Sequence, residues 1–434
     1  MRWLGVVAAA LVLGSCSSGE RGQGLYIQRF FGECTSDYGT ATDIAKAEGE
    51  CGIITTMINA FRQADPAAKV SQNVVAWPGY SQLTAQLAAR QPPDLVTMHT
   101  GVIPDYAGKG LLEPVEPYLQ AAGLSPAMFT PASRQGVTWQ GRMYGLPWDT
   151  HGGLWHINTA LFAKAGLMKD GKPILPRSPE ELLSQGRQFR ARTGKPYLLQ
   201  SLVADPAGAA RILYTYMMAQ GAPVFTDPRH IDLDNPKGQA VANLFRQVTA
   251  EGIGTSNMDT PAAIAAFMSG EGGVYPTGTW MIGQFETEEK TTGRPLFKSY
   301  AVQPFPQLYA KNVMFVSGHS WVVPKRERTA AERQAIVDFF RFMVARNGDW
   351  ARTGHLPAVQ SVIDGPAFLG LPHRSDIAIV AKIGRALPDG VLRQNAVEGL
   401  VGEEMAAAMT GQKPVRRALA DADRRVNEFL AEVP

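Results

Sequence analysis

Seven histidines, three cysteines and 39 acidic side chains are the raw material for chemistry in this 434-residue chain, and their spacing excludes most catalytic designs. There is no G-x-S-x-G elbow to expose a nucleophilic serine and no H-E-x-x-H to set two imidazoles on one helix face. C-x-x-C and the glycine-rich phosphate loop are missing as well. His151 and His156 lie five apart in a segment that reads as a strand. Side chains alternate there, so the two point to opposite faces and make poor joint metal ligands. No metal and no cofactor is expected. The carboxylates leave one catalytic design open, a glycosidase pair assembled from distant positions.

The cysteines are more informative. Cys16 stands directly behind the apolar run Leu4–Leu13, which follows Arg2. That run is too short to span a bilayer, which needs about 20 apolar residues, but it suits a signal-peptide core. Gly14-Ser15-Cys16 resembles a bacterial lipobox, so residues 1–15 are expected to be removed and Cys16 acylated, with 16–24 as a tether. A simple cleaved signal is the alternative. An exported chain matures where disulfides persist, so Cys34 and Cys51 are expected to pair, against the alternative of two buried free thiols. Closure of that loop contributes roughly 3 kcal/mol in the chain-entropy model.

The elements that must position any site alternate between strand-like and helix-like, which predicts an α/β architecture. Leu25–Phe31, "KVSQNVVAW" and "PPDLVTMHT" read as strands. Ile53, Ile54, Met57, Ile58 and Phe61 recur at helical spacing, and 104–119 reads as helix-rich. Ser178-Pro179-Glu180-Glu181 and Thr329 with Glu332 have the form of capping boxes. Asn235-Pro236 and Thr260-Pro261 read as N-cap and first-turn pairs, and 376–432 as helical without a clear strand. A net charge of +3 with no basic cluster interleaved with aromatics argues against a nucleic-acid partner.

Several stretches, taken in order, resemble the carbohydrate-binding extracellular solute-binding proteins of ABC importers, the maltose-binding-protein-like family. They are "MINAFRQADPAAKV", "YSQLTAQLAARQPPDLVTMH", "IPDYAGKGLLEPVEPYL", "GRMYGLPWDTHGGLWHINTALFAKAGL" and "SPEELL". "FMSGEGGVYPTGTWMIGQF", "VQPFP", "GHSWVVPK" and "GHLPAVQSV" continue the match. The resemblance covers roughly residues 25–430. It implies a two-lobed periplasmic-binding-protein fold with a hinge and an interlobe cleft. Lobe 1 is expected over 25–157 and 302–345, and lobe 2 over 158–301 and 346–434. It also implies a non-catalytic, monomeric receptor for a mono- or oligosaccharide, working with ABC permease subunits and held to the membrane by a lipid anchor. A receptor for a polyol or a glycerophosphodiester is the nearer alternative, and a carbohydrate-active enzyme the more distant one.

The resemblance places the site in loops that meet the cleft, where aromatic faces and a few polar groups recognise sugar. "PWDTHGG" supplies Trp148, Asp149 and His151, with the histidine standing where the maltose-type pattern has a carboxylate. His99 ends a strand at the cleft edge, and Trp280 matches a sugar-stacking aromatic of the family. His319 sits in a glycine-flanked turn, and Glu398 aligns with a late cleft position. Glu33, Asp37 and Tyr38 follow the first strand. Met98 departs from the family by replacing an aromatic, Trp321 reads as core, and Arg352 is the one cation near these loops suited to a phosphate.

Overall fold

The computed structural model describes residues 24–204 and 206–433. The expected signal segment, Cys16 and all but the end of the tether lie outside the described residues.

Two sheets organise the molecule. The first runs, in spatial order, Ser71–Val74, Tyr26–Arg29, Leu95–His99, His319–Val322 and Gly145–Pro147. Its first three strands are parallel, and His319–Val322 is antiparallel to both of its neighbours. The second is built around the ten-residue strand Asp149–Asn158, which pairs with Val274–Gly278, Tyr300–Pro304, Met314–Ser317 and Leu356–Pro357. Gly384–Arg385 extends it, a short strand in a region that reads as nearly all helical, without a clear strand.

The sheets fix where the chain changes lobes. It leaves the first sheet at Pro147, enters the second at Asp149, and returns between Ser317 and His319. The strand residues within 149–157 and 302–317, expected in lobe 1, lie in the second sheet, because strand continuity from Asp149 to Asn158 carries every residue of that run into one sheet. Trp350, Ala358 and Val359, expected in lobe 2, pack in the cluster that holds the first sheet's core residues.

Each lobe has its own core. In lobe 1 the helix Gly49–Ala64 buries Ile53, Ile54, Met57, Ile58 and Phe61, the face its spacing predicts. Phe339 and Phe340 of Ala330–Ala345 close the same core. In lobe 2 the helices Ala207–Ala219, Gln394–Thr410 and Val415–Ala431 share a second one. A third cluster, including Tyr275, Phe285 and Tyr300, lies under the outer strands of the second sheet.

The caps are local chemistry. Thr329 and Glu332 form the full reciprocal box. Ser178 caps Glu181 N–H, but the Glu181 carboxylate takes the Arg177 N–H instead of closing the box. Asn235 caps as expected, whereas the cap before Pro261 is Asp259 and Thr260 is already helical. The stretch 104–119 divides into Ile103–Ala107 and Glu116–Ala121. Cys34 and Cys51 are joined by a disulfide, with 6.1 Å between their Cα atoms, which ties the loop after the first strand to the start of Gly49–Ala64.

Candidate functional site

The crossing between lobes gathers four histidines around one carboxylate. Antiparallel pairing sets His319 opposite His99 in the first sheet. His151, two residues into the second sheet beyond Asp149, pairs with Ser317 just before the return crossing. His355 comes in beside them, its ring centroid 5.3 Å from that of His319. The rings of His99 and His151 lie 4.6 and 4.8 Å from that of His319.

Asp149 is the anchor of the group and is 0% exposed. Its Oδ1 accepts the His319 backbone N–H at 2.9 Å, and its Oδ2 lies 2.8 Å from His319 Nδ1. Trp350 Nε1–H donates to the same Oδ2 at 2.7 Å. Burial alone raises a carboxyl pKa, but the electrostatic pull of the neighbouring imidazoles and the hydrogen bond from His319 outweigh it here and hold Asp149 well below its ordinary range. Both Asp149 oxygens are thus engaged inside the protein, in support of His319. Trp148, read as stacking on ligand or packing beneath the loop, is buried against Trp321 and Trp350. The turn "PWDTHGG" looks polar in sequence because the partners of its aspartate lie about 170 to 200 residues away.

His99 completes a chain of hydrogen bonds. Its backbone N–H donates to Tyr80 Oη at 2.9 Å, and its Nδ1 lies 2.8 Å from the same hydroxyl. Its Nε2 is 3.2 Å from His319 Nε2. One assignment satisfies every contact: Tyr80 donates to His99 Nδ1, His99 Nε2–H donates to His319 Nε2, and His319 Nδ1–H donates to Asp149. Burial and then the neighbouring His319 push the pKa values of His99 and His151 well below the ordinary histidine range. His151, 8% exposed, has a buried Nε2 with no hydrogen-bond partner.

Around these rings the wall opens to solvent. Trp280 is half-buried, 5.7 Å from the His151 ring, and Arg211 lies 5.8 Å over its indole. Arg211 is ion-paired with Glu398. Opposite, Trp77 is 68% exposed, with its ring 5.6 Å from that of His99. Trp280, His151, His99, His319 and Glu398 are therefore brought together. Glu33, Asp37 and Tyr38 bond elsewhere: Glu33 accepts from Thr35 N–H, Asp37 is exposed, and Tyr38 accepts the Glu48 N–H. Met98 and Trp321 are fully buried. Arg352 is committed to the carbonyls of Ile44, Ala45 and Ala47.

Sequence reasoning missed Trp77, Tyr80, Arg211, His355 and Trp350. In sequence Trp77 reads only as the end of the strand "KVSQNVVAW", and nothing local marks Arg211, which sits on the helix Ala207–Ala219. As foreseen, His156 faces away from His151: its ring bonds Tyr300 Oη and the Gly278 carbonyl. A concavity of about 470 Å³, lined by Glu116, Arg134, Gln135, Met143 and Asp389 among others, includes none of the histidines.

A family model described as bacterial extracellular solute-binding protein matches residues 46–346, more than half of the chain. Among curated proteins, one from Brucella abortus (strain 2308), named a binding protein, is 22% identical over 241 residues. That alignment takes in 53% of this chain and 55% of the relative, so the chain spans about half the length of the curated relatives it matches. Among solved structures, the cyclic alpha-maltosyl-1,6-maltose binding protein of Arthrobacter globiformis is similar at a TM-score of 0.74 and 19% identity, covering 94% of this chain and 98% of that one. The sugar-binding protein MalE of Xanthomonas citri gives 0.76 and 16%, covering 94% and 98%. The GacH receptor of Streptomyces glaucescens gives 0.75 and 16%, covering 94% and 100%. At these identities the likeness establishes the fold, the two-lobed binding-protein architecture. Among the described residues no helix is long and apolar enough to cross a membrane.

Proposed function

The chain belongs to the bacterial extracellular solute-binding protein family, and from that premise we propose that it captures a mono- or oligosaccharide between its lobes and delivers it to an ABC importer. The observation that carries this reading is the pair of tryptophans left open at the lobe crossing. Trp148, Trp321 and Trp350 are sealed in the core, whereas Trp77 is exposed beside His99 and Trp280 is half-buried beside His151. Indole faces take the apolar C–H faces of a sugar ring, and the flanking polar side chains satisfy its hydroxyls. The solved neighbours named above are described as receptors for sugars or for acarbose, in line with this ligand class.

Binding would act through closure. A ligand touching Trp77 on one lobe and Trp280 on the other makes its full set of contacts only when the lobes are together, so it shifts the population toward the closed form. Acylation of Cys16 would keep a monomeric receptor beside its permease. A glycerophosphodiester calls for a free cation in the site; Arg211 is the cation present, and Glu398 neutralises it. Hydrolysis of a glycoside calls for two accessible carboxyl groups; of those beside the site, Asp149 is sealed, Glu398 is ion-paired with Arg211, and Glu50 lies 3.5 Å from His355 Nε2.

A thermal-shift screen of the form beginning at Ser17, against sugars, polyols and glycerophosphodiesters, tests the reading. A ligand at about 100 times its dissociation constant stabilises the protein by roughly 2.7 kcal/mol. Selective stabilisation by sugars, lost in Trp77→Ala and Trp280→Ala, is the expected result. Stabilisation by phosphodiesters alone, or turnover of a labelled oligosaccharide, overturns it.

A further inference from the structure

We propose that His99, His151 and His319 form a binding site for one divalent transition-metal ion of the zinc class at the crossing between the lobes. One ligand nitrogen from each ring lies within 4.8 Å of the other two. His99 Nε2 and His319 Nε2 are already 3.2 Å apart. Two imidazole nitrogens on a tetrahedral zinc ion at 2.0–2.1 Å stand about 3.3 Å from each other, so this pair holds the ligand spacing before any ion arrives. With all three nitrogens within 4.8 Å of one another, His151 has at most about 1.5 Å to close.

The third nitrogen makes the site more than a hydrogen-bonded cluster. His151 Nε2 is buried without a partner, an arrangement that destabilises the protein unless something binds there. A cation satisfies it, and no donor among the surrounding rings does.

The supporting shell has the form that metal-bound histidines use. His319 gives its Nδ1–H to Asp149 at 2.8 Å, a carboxylate–histidine pair that fixes the tautomer with Nε2 facing the ion. Asp149 itself is in reach of a second grouping with His319 and His355. Its oxygens, however, are taken by His319 and by Trp350 Nε1–H, which makes it a positioning residue. His99 needs one change of tautomer. Its hydrogen moves from Nε2 to Nδ1 and is then donated to Tyr80 Oη, 2.8 Å away, leaving Nε2 bare and releasing no net proton.

Three protein nitrogens leave a position of a four-coordinate ion open. The half-buried Trp280 and the exposed Trp77 border it, so the fourth ligand comes from water or from a ligand in the cleft. His99 and His319 belong to the first sheet and His151 to the second. Metal binding therefore clasps the two lobes, whatever the organic ligand is.

The test is a titration of chelator-stripped, sugar-free protein with Zn2+ by calorimetry and with Co2+ by visible absorption. The expected result is one ion per chain and the intense bands of tetrahedral Co2+. His151→Ala and His319→Ala should each weaken binding at least 100-fold, while alanine at the exposed His230 changes nothing. Substoichiometric binding, an octahedral Co2+ spectrum, or full binding by the His151→Ala variant overturns the proposal. The wild-type spectrum decides the question even if a variant fails to fold, and the absence of sugar keeps the outcome separate from that of the receptor reading.

Discussion

Replacing Asp149 by alanine should damage the fold before it damages recognition, and the size of the effect follows from three hydrogen bonds. The carboxylate accepts from His319 N–H, from the His319 ring and from Trp350 Nε1–H, all of them buried. Each donor left unpaired costs about 1–3 kcal/mol. A water entering the vacated space can satisfy one of them, so the two left unpaired give an expected loss of about 2–6 kcal/mol. That is a large fraction of the roughly 5–15 kcal/mol that holds a folded protein together. Asp149→Asn keeps one acceptor and should lose about 1–3 kcal/mol. Urea unfolding at pH 7.5, followed by the fluorescence of the buried Trp148, Trp321 and Trp350, reads both variants directly. The reasoning is refuted if Asp149→Ala unfolds within about 0.5 kcal/mol of wild type while its ligand affinity collapses. That outcome would place Asp149 against the ligand, where sequence alone had put it.

Three further outcomes are expected. His156 is pushed down to about 3 by burial, with hydrogen bonds to backbone carbonyls opposing the shift. Between the unfolded value of about 6.5 and that folded value the unfolded chain binds the extra proton, so stability should fall with pH by up to about 1.4 kcal/mol per unit. Below pH 6.5, His156→Gln should flatten the pH dependence of the unfolding free energy; an unchanged slope rules out this source. Replacing Cys34 and Cys51 by serine should cost roughly 3 kcal/mol, read as a lowered melting temperature that reductant does not lower further, and an unaltered melting point would refute it. A Cβ on Gly278 would sit 1.9 Å from a Trp280 ring carbon, although the backbone there is ordinary. Gly278→Ala should therefore displace the indole and weaken ligand binding at least tenfold in calorimetry; wild-type affinity would remove Trp280 from the ligand's path.

Much of the molecule is legible in the order of its residues. Helical spacing marks the buried face of Gly49–Ala64, Thr329 and Glu332 announce the helix they cap, and β alternation separates His151 from His156. These are properties of neighbours in the chain, decided within one or two turns. The sequence also brought His99, His151, His319, Trp280 and Glu398 forward as site residues, through the resemblance of the segments that carry them. What it could not decide is which of its polar residues meet one another. Asp149 reads as an exposed acceptor because its partners come from His319 and Trp350, and Trp148 reads as a binding aromatic because the two indoles that bury it lie far along the chain. The run from Asp149 to Asn158 joins the second sheet for the same reason, since a strand belongs to whichever sheet its hydrogen bonds reach. The histidine cluster exists only in space: residues 99, 151, 319 and 355 share no spacing, and the two chain crossings between sheets bring them together. Local structure follows from short-range sterics and capping, whereas burial, protonation and ligand geometry follow from contacts that the tertiary fold alone creates.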